Sequence, residues 1–405
     1  MGFQFTKETK DAMKQAKKRE EINREWYCLQ SILGYQWAIF YYLLGGREAG
    51  KSYAVTNFYV NQWKRYGRPF YWLRLTEASQ KKLLQNNAEK LIDPDLRRKY
   101  NLDIMTKGDG VYEIIKRDKD GKVVEKKLMA RVLALSTFYN DKGSGLFDKD
   151  FINDPNMYYN ICLDEMNRES NEKNTFDIVY AFANQLENLI RSTKTKIRVI
   201  CIGNTLEEAG DILCAMNFIP DKFGRYKLVK NKEKLLSYIE EMKAAKDDKE
   251  RAVVNKRYKG IDFGKRAVIE YIEPNEKYLT RRQGTVADIL SGSSSTFTNE
   301  IEVNTELVYK GKLKRPSKIL MFSKEKTHWF ILWEGMNGKM IIAPWNGESV
   351  KRENYIAMRP YLHNFFNKEI RDGIFEVFDN QGFLFRSLSA QKMFQKELAL
   401  LRPRK

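Results

Sequence analysis

The sequence predicts an α/β chain built on a parallel sheet, followed by a smaller α+β unit. Two observations predict it. Gly45-Gly46-Arg47-Glu48-Ala49-Gly50-Lys51-Ser52 is a glycine-rich turn between an apolar stretch, Phe40–Leu44, and a helical stretch, Tyr53–Trp63. A second apolar stretch, Tyr158–Leu163, runs into two adjacent carboxylates, Asp164 and Glu165. The octapeptide fits G-x-x-x-x-G-K-[ST] at every fixed position. Strand, glycine-rich turn and helix is the context that a phosphate-binding P-loop requires.

The chemistry of each motif follows from its residue types. Glycines let the backbone of residues 45–50 fold tightly, so that several N–H groups can point at phosphate oxygens. The helix beginning near Lys51 adds the positive end of its dipole. Lys51 supplies a cation to the β- and γ-phosphates, and Ser52 supplies a hydroxyl to magnesium. Successive strand residues face opposite ways, which lets Asp164 and Glu165 do different jobs. Asp164 is expected to hold the magnesium through water, and Glu165 to polarise the attacking water as general base. ATP and Mg2+ are therefore the expected cofactors.

A third strand, Ile197–Gly203, ends at Asn204-Thr205. Asn204 there could sense the γ-phosphate, or it could simply form a turn. Just upstream, Arg191 could reach the nucleotide of a neighbouring subunit as an arginine finger, or belong to a solvated basic loop. Lys142 could approach a nucleotide or stay at the surface.

The remaining elements follow in order. Residues 1–30 read as a polar helical arm, and residues 31–205 as the ATPase domain. Within that domain Phe70–Leu75 is a second strand. Residues 110–135 read as a hairpin turning at Asp118–Lys122, and Ala130–Ser136 as a further strand. A strand between the two nucleotide motifs marks the ASCE branch of P-loop proteins. Residues 206–299 read as a charged linker or lid, dense in Lys and Glu over 230–259. Residues 300–405 form the α+β unit: strands at 318–323, 328–334, 339–343 and 374–378, then a closing helix over 383–401.

Composition narrows the partners. The chain holds 72 Lys+Arg against 53 Asp+Glu, a formal charge of +19, which points to a polyanion such as nucleic acid. Residues 300–405 carry 19 basic and 12 acidic side chains, so the excess is spread along the chain, as phosphate-backbone binding requires. With two histidines and four cysteines lacking C-x-x-C spacing, a zinc site or a histidine triad is poorly supported. Cys162 and Cys201 read as reduced core residues of an intracellular protein. No secretory signal is visible, and no apolar run approaches the roughly 20 residues of a membrane span.

The residues resemble the DNA-packaging (encapsidation) ATPases of φ29-like short-tailed phages, relatives of the large terminases. The resemblance is carried by residues 43–54 (LLGGREAGKSYA), 66–74 (YGRPFYWLR), 161–165 (ICLDE) and 198–204 (RVICIGN). Weaker patches lie at 328–342 and at 378–381. It implies a pentameric homo-oligomeric ring that docks in the host cytoplasm on the portal of a viral prohead and drives double-stranded DNA inside. In the φ29-like motors a structural packaging RNA links ring to capsid. The resemblance also implies an RNase H-like C-terminal fold.

Carried over residue by residue, Lys51, Ser52, Asp164 and Glu165 match the motif positions, and Asn204 matches the coupling position. Arg191 matches the trans-acting arginine if one residue is inserted, and Lys142 is a looser match to a second trans-acting base. The nuclease does not carry over well. Asp379 is a candidate ligand, but Glu325 and Glu334 lack the spacing that a two-metal centre needs. An inactive nuclease domain is the expectation. The alternatives are a DNA-binding ATPase switch that does not translocate, and a terminase with a working nuclease.

Overall fold

Short apolar runs make the strands that carry the site. The computed structural model describes residues 26–46, 49–141, 158–166, 176–190, 196–203, 211–220, 222–273, 277, 280, 283–284, 306–324, 328–336, 338–359, 362, 372–374, 376 and 382–401. The expected arm over residues 1–25 lies outside them, as do Arg47, Glu48, Lys142, Arg191, Asn204, Glu325 and Asp379. Two compact units divide the chain: Met1–Glu208 with Lys222–Ile301, and Ala209–Asp221 with Glu302–Lys405.

The first unit begins with α1 (Gln30–Leu33), β1 (Phe40–Leu44), α2 (Lys51–Tyr66) and β2 (Phe70–Arg74). It continues through α3 (Glu77–Ala88), α4 (Pro94–Tyr100), β3 (Ile104–Lys107), β4 (Gly110–Arg117), β5 (Val123–Ala134), β6 (Tyr158–Leu163), α5 (Ile178–Ile190) and β7 (Lys196–Gly203). After α6 (Asp211–Ala215), which belongs to the second unit, come β8 (Gly224–Leu228), α7 (Lys232–Ala244), α8 (Asp248–Arg257) and β9 (Ala267–Tyr271).

The strands form a nine-stranded sheet in the order β3-β4-β5-β2-β6-β7-β1-β9-β8. From β5 to β9 all neighbours are parallel, and antiparallel pairs flank this core on both edges. Every residue of β2 is buried, as are Tyr41–Leu44 of β1. Continuous burial of this kind marks a parallel sheet covered on both faces. Register aligns the carboxyl ends: Leu44 stands opposite Gly203 and Tyr271, and Leu73 opposite Leu163. The glycine-rich turn and the Asp164-Glu165 pair therefore open at one end of the sheet, where parallel α/β sheets bind ligands.

Three expectations change. Ala130–Ser136 is not a separate strand. β5 runs unbroken from the hairpin, pairs with β4 along its first part, and continues parallel to β2 from Ala130 to Ala134. The strand lying between the P-loop strand and the Asp-Glu strand is β7, whereas β5 lies beyond β2 on the far side of β6. The segment expected as linker or lid contributes β8 and β9 to the sheet, and β9 pairs directly with β1. The apolar run Ala267–Tyr271 is short and follows two charged helices, so its membership rests on long-range pairing that local composition does not display.

A buried tyrosine ties the two motifs together. Tyr59 on α2 is fully buried and donates its hydroxyl to the Ile161 carbonyl of β6 at 3.0 Å. It also packs on Phe70 with ring centroids 5.2 Å apart.

The second unit is a five-stranded sheet of β10 (Leu313–Met321), β11 (Trp329–Gly335), β12 (Met340–Pro344), β13 (Tyr355–Ala357) and β14 (Phe383–Phe385), followed by α9 (Leu388–Leu401). Its order is β13-β10-β11-β12-β14, with β10-β11-β12 an antiparallel meander and each edge strand parallel to its neighbour. Ala390, Phe394 and Leu398 of α9 pack with Phe322, Phe330 and Phe385. The strand expected over 374–378 is not seen: residues 372–374 and 376 are helical. Glu397 of α9 is buried, which works against its charge. Bonds from His328 at 2.7 Å and Arg359 at 3.0 Å outweigh that and hold the carboxyl below its ordinary range.

Removing the bridge between the motifs should be measurable. Tyr59→Phe is expected to lower the unfolding free energy by about 1 kcal/mol through the lost hydrogen bond. Tyr59→Ala is expected to cost about 3–5 kcal/mol because a ring-sized cavity remains. Urea unfolding followed by circular dichroism reads both.

Candidate active site

Lys51 is the first residue of α2 and is 4% exposed. Its ammonium donates to the carbonyls of Gly45 at 2.8 Å and Gly46 at 2.7 Å. A buried ammonium folded back on its own loop occupies a position from which it can swing to an arriving anion. Gly50, immediately before it, is left-handed at φ 83°, a conformation that disfavours a side chain. No described side chain caps the start of α2, so its first N–H groups face the loop.

Ser52, one residue on, donates its hydroxyl to Asp164 Oδ1 at 3.1 Å. This bond joins the two motifs, 112 residues apart in sequence. A hydroxyl and a carboxylate oxygen together are the hard-oxygen set that magnesium takes. The residues present therefore fit the metal that the motif implies.

Asp164 follows the last residue of β6, and its N–H donates to the Leu73 carbonyl at 3.0 Å. Its other oxygen accepts from Arg74 Nη1 at 2.7 Å. Arg74 is the last residue of β2, and its second terminal nitrogen donates to Glu165. One guanidinium thus holds both carboxylates. Burial pushes the Asp164 carboxyl above its ordinary range, and Arg74 opposes that shift.

Strand alternation does not separate Asp164 from Glu165, contrary to the expectation. β6 ends at Leu163, and Glu165 adopts a left-handed backbone at φ 53°. That turn brings the Glu165 side chain round to the arginine that Asp164 also meets. Glu165 remains about half exposed at 52%, so it keeps access to water while paired. Such backbone geometry at a non-glycine residue is costly and persists where its surroundings enforce it.

Lys51, Ser52, Asp164 and Glu165 are thus brought together as the motifs require. Arg47, Glu48, Asn204, Arg191 and Lys142 lie outside the described residues. Sequence reasoning missed Arg74 as a site residue. A signal was available: an arginine closing the apolar run Phe70–Leu73, beside the strand that ends in two acids. In the second unit, Glu334 is paired with Lys314 at 3.0 Å and Arg315 at 2.8 Å. No cluster of three or more His, Cys, Asp or Glu suited to a metal occurs among the described residues. No helix among them is long and apolar enough to cross a membrane.

Comparison with known proteins places this geometry. The model of the podovirus DNA encapsidation protein (Gp16) family matches residues 23–382. The chain belongs to that family. The DNA packaging protein of Bacillus phage phi29 is 21% identical over 361 residues, spanning 87% of this chain and 96% of the relative. Among solved structures, the bacteriophage Phi-29 viral genome packaging motor assembly aligns with a TM-score of 0.53 at 19% identity, covering 94% of this chain and 100% of that one. The Phi-28 gp11 DNA packaging motor aligns at 0.50 with 12% identity, covering 94% and 99%. At these identities the structural likeness shows the fold. Function in this encapsidation protein rests on family membership and on the site residues.

Arg74 can be tested directly. Arg74→Ala leaves the Asp164 carboxyl buried without its partner and is expected to destabilise the protein by about 3–5 kcal/mol. Adding Asp164→Asn in the same chain should recover part of that loss, since no buried charge then remains. A double-mutant cycle in urea measures the coupling.

Proposed function

We propose that this chain is the ATP-hydrolysing subunit of a viral genome-packaging motor that drives double-stranded DNA into a preformed capsid. The observation that carries the reading is the Ser52–Asp164 contact at 3.1 Å, which joins a P-loop to an acidic strand end in a member of a DNA encapsidation family. The net charge of +19 supports a phosphate-rich partner.

Each residue has a role in that reading. Lys51 leaves the carbonyls of Gly45 and Gly46 to meet the β- and γ-phosphates. Ser52 and Asp164 hold Mg2+, which when bound neutralises charge developing on the phosphates. Glu165 orients and polarises the attacking water. While Arg74 holds Glu165, the carboxylate is occupied as an acceptor and is a poorer base. Release of that bond couples the Arg74 strand to hydrolysis. Asn204 at the end of β7 is the proposed γ-phosphate sensor. Arg191 and Lys142 are the proposed trans-acting bases of a ring, pentameric as in φ29-like motors.

The same reading places the motor on the portal of the prohead in the host cytoplasm, with a packaging RNA as a further partner. The intervening β7 supports the ASCE branch. The antiparallel meander with β13 parallel beside its first strand supports an RNase H-like second unit. The pairing of Glu334 with two cations supports an inactive nuclease there.

Wild-type protein with proheads and double-stranded DNA should hydrolyse ATP and move DNA into a nuclease-protected state. Glu165→Gln should abolish turnover while still binding ATP. Glu165-dependent turnover without DNA protection would instead mark an ATPase switch. In rings mixed with wild type, Arg191→Ala subunits should bind ATP yet suppress hydrolysis. Full turnover in rings of pure Arg191→Ala protein would remove Arg191 from the site.

A further inference from the structure

We propose that Trp26 is the platform on which the nucleobase of the bound triphosphate stacks. The inference rests on the nucleotide-binding reading of the P-loop and adds the subsite for the base. Trp26 is a large aromatic that remains 48% exposed. It nevertheless lies tight against the P-loop. A Cβ built on Gly50 would meet Trp26 Cε3 at 3.0 Å, so the glycine at this position leaves room for the indole.

The segment carrying Trp26 is fastened on both sides of the loop. The Tyr27 N–H donates to the Ala49 carbonyl at 3.0 Å. The Tyr27 hydroxyl donates to Glu270 Oε2 at 2.5 Å, and Glu270 sits on β9, opposite Leu43 of the P-loop strand. Burial raises the Tyr27 phenol well above its ordinary pKa, with Glu270 adding to the shift, so it stays a donor throughout the working pH range. Trp26 is thus held at the loop by its neighbour and keeps an accessible surface.

The phosphate end of the site is set by Lys51 and by Ser52 with Asp164. A triphosphate bound there must carry its nucleoside out past the rim of the loop. Trp26 forms that rim beside Gly50, one residue from Lys51. The competing aromatic is Tyr53, 40% exposed and next to Ser52. Its phenol is raised by burial and then by Asp95 and Asp93, which places it toward α4. An indole free of such acidic neighbours suits a base better, since stacking needs an open π-face.

The test compares ligands with and without a base. Full-length protein is titrated with ATP, with GTP and with inorganic tripolyphosphate, each with magnesium, by calorimetry. Trp26→Ala should weaken ATP and GTP about ten-fold, the scale of one base–aromatic stack, and leave tripolyphosphate unchanged. Trp26→Phe should restore most of the affinity for both nucleotides. Equal weakening of all three ligands would mean that Trp26 only shapes the loop, and would overturn the proposal. So would unchanged nucleotide affinity in Trp26→Ala, or a base-dependent loss that follows Tyr53→Ala instead. Lys51→Ala separates the two readings. If it leaves tripolyphosphate binding intact, the P-loop assignment itself fails, and the nucleobase subsite falls with it.

Discussion

The site depends on one guanidinium. Asp164 lies where a parallel sheet buries its strand ends, and a lone carboxylate there would sooner take a proton than remain charged. Arg74 offsets that cost with a 2.7 Å bond from the adjacent strand. Because β2 lies directly beside β6, with Leu73 opposite Leu163, the register that builds the sheet also delivers the cation. A slip of one residue would turn Arg74 to the other face and leave Asp164 unpaired. Fold and site are therefore set by the same pairing.

Glu165 shares that cation on different terms. Asp164 is buried and has Ser52 as well as Arg74, whereas Glu165 is half exposed and reaches Arg74 through a left-handed turn. Breaking the exposed contact costs far less than breaking the buried one, because water can replace it. The arginine can therefore let go of Glu165 while keeping Asp164, and two adjacent acids acquire separate behaviours without facing opposite ways.

Much of this was legible in the chain, and the reasons for the rest are physical. The P-loop and the Asp-Glu pair are local patterns whose chemistry needs contiguous residues, so Lys51, Ser52, Asp164 and Glu165 could be named and are found together. Arg74 could not be read the same way, because its role comes from pairing with a strand some ninety residues away. β9 escaped for a related cause. Its five apolar residues follow two helices rich in Lys and Glu, and composition assigned the whole segment to solvent. Ala130–Ala134 was read as an independent strand because its outer half changes character: the exposed hairpin part carries charges, the buried part does not. One strand with two environments looks like two strands when only composition is read.

The tyrosine on α2 shows why the loop and the acidic strand act as one body. Tyr59 reaches from the P-loop helix to the backbone of β6 three residues before Asp164. Ser52 on the same helix reaches Asp164 itself. Helix and strand are thus joined at two heights, one in the core and one at the ligand end. A shift of α2 on engaging phosphate cannot leave the core contact in place and move Ser52 freely, since a helix turns as a unit. Displacement at Lys51 must pass to β6, and from Asp164 through Arg74 to β2. The two strands flanking the carboxylates are the elements most directly coupled to whatever occupies the loop.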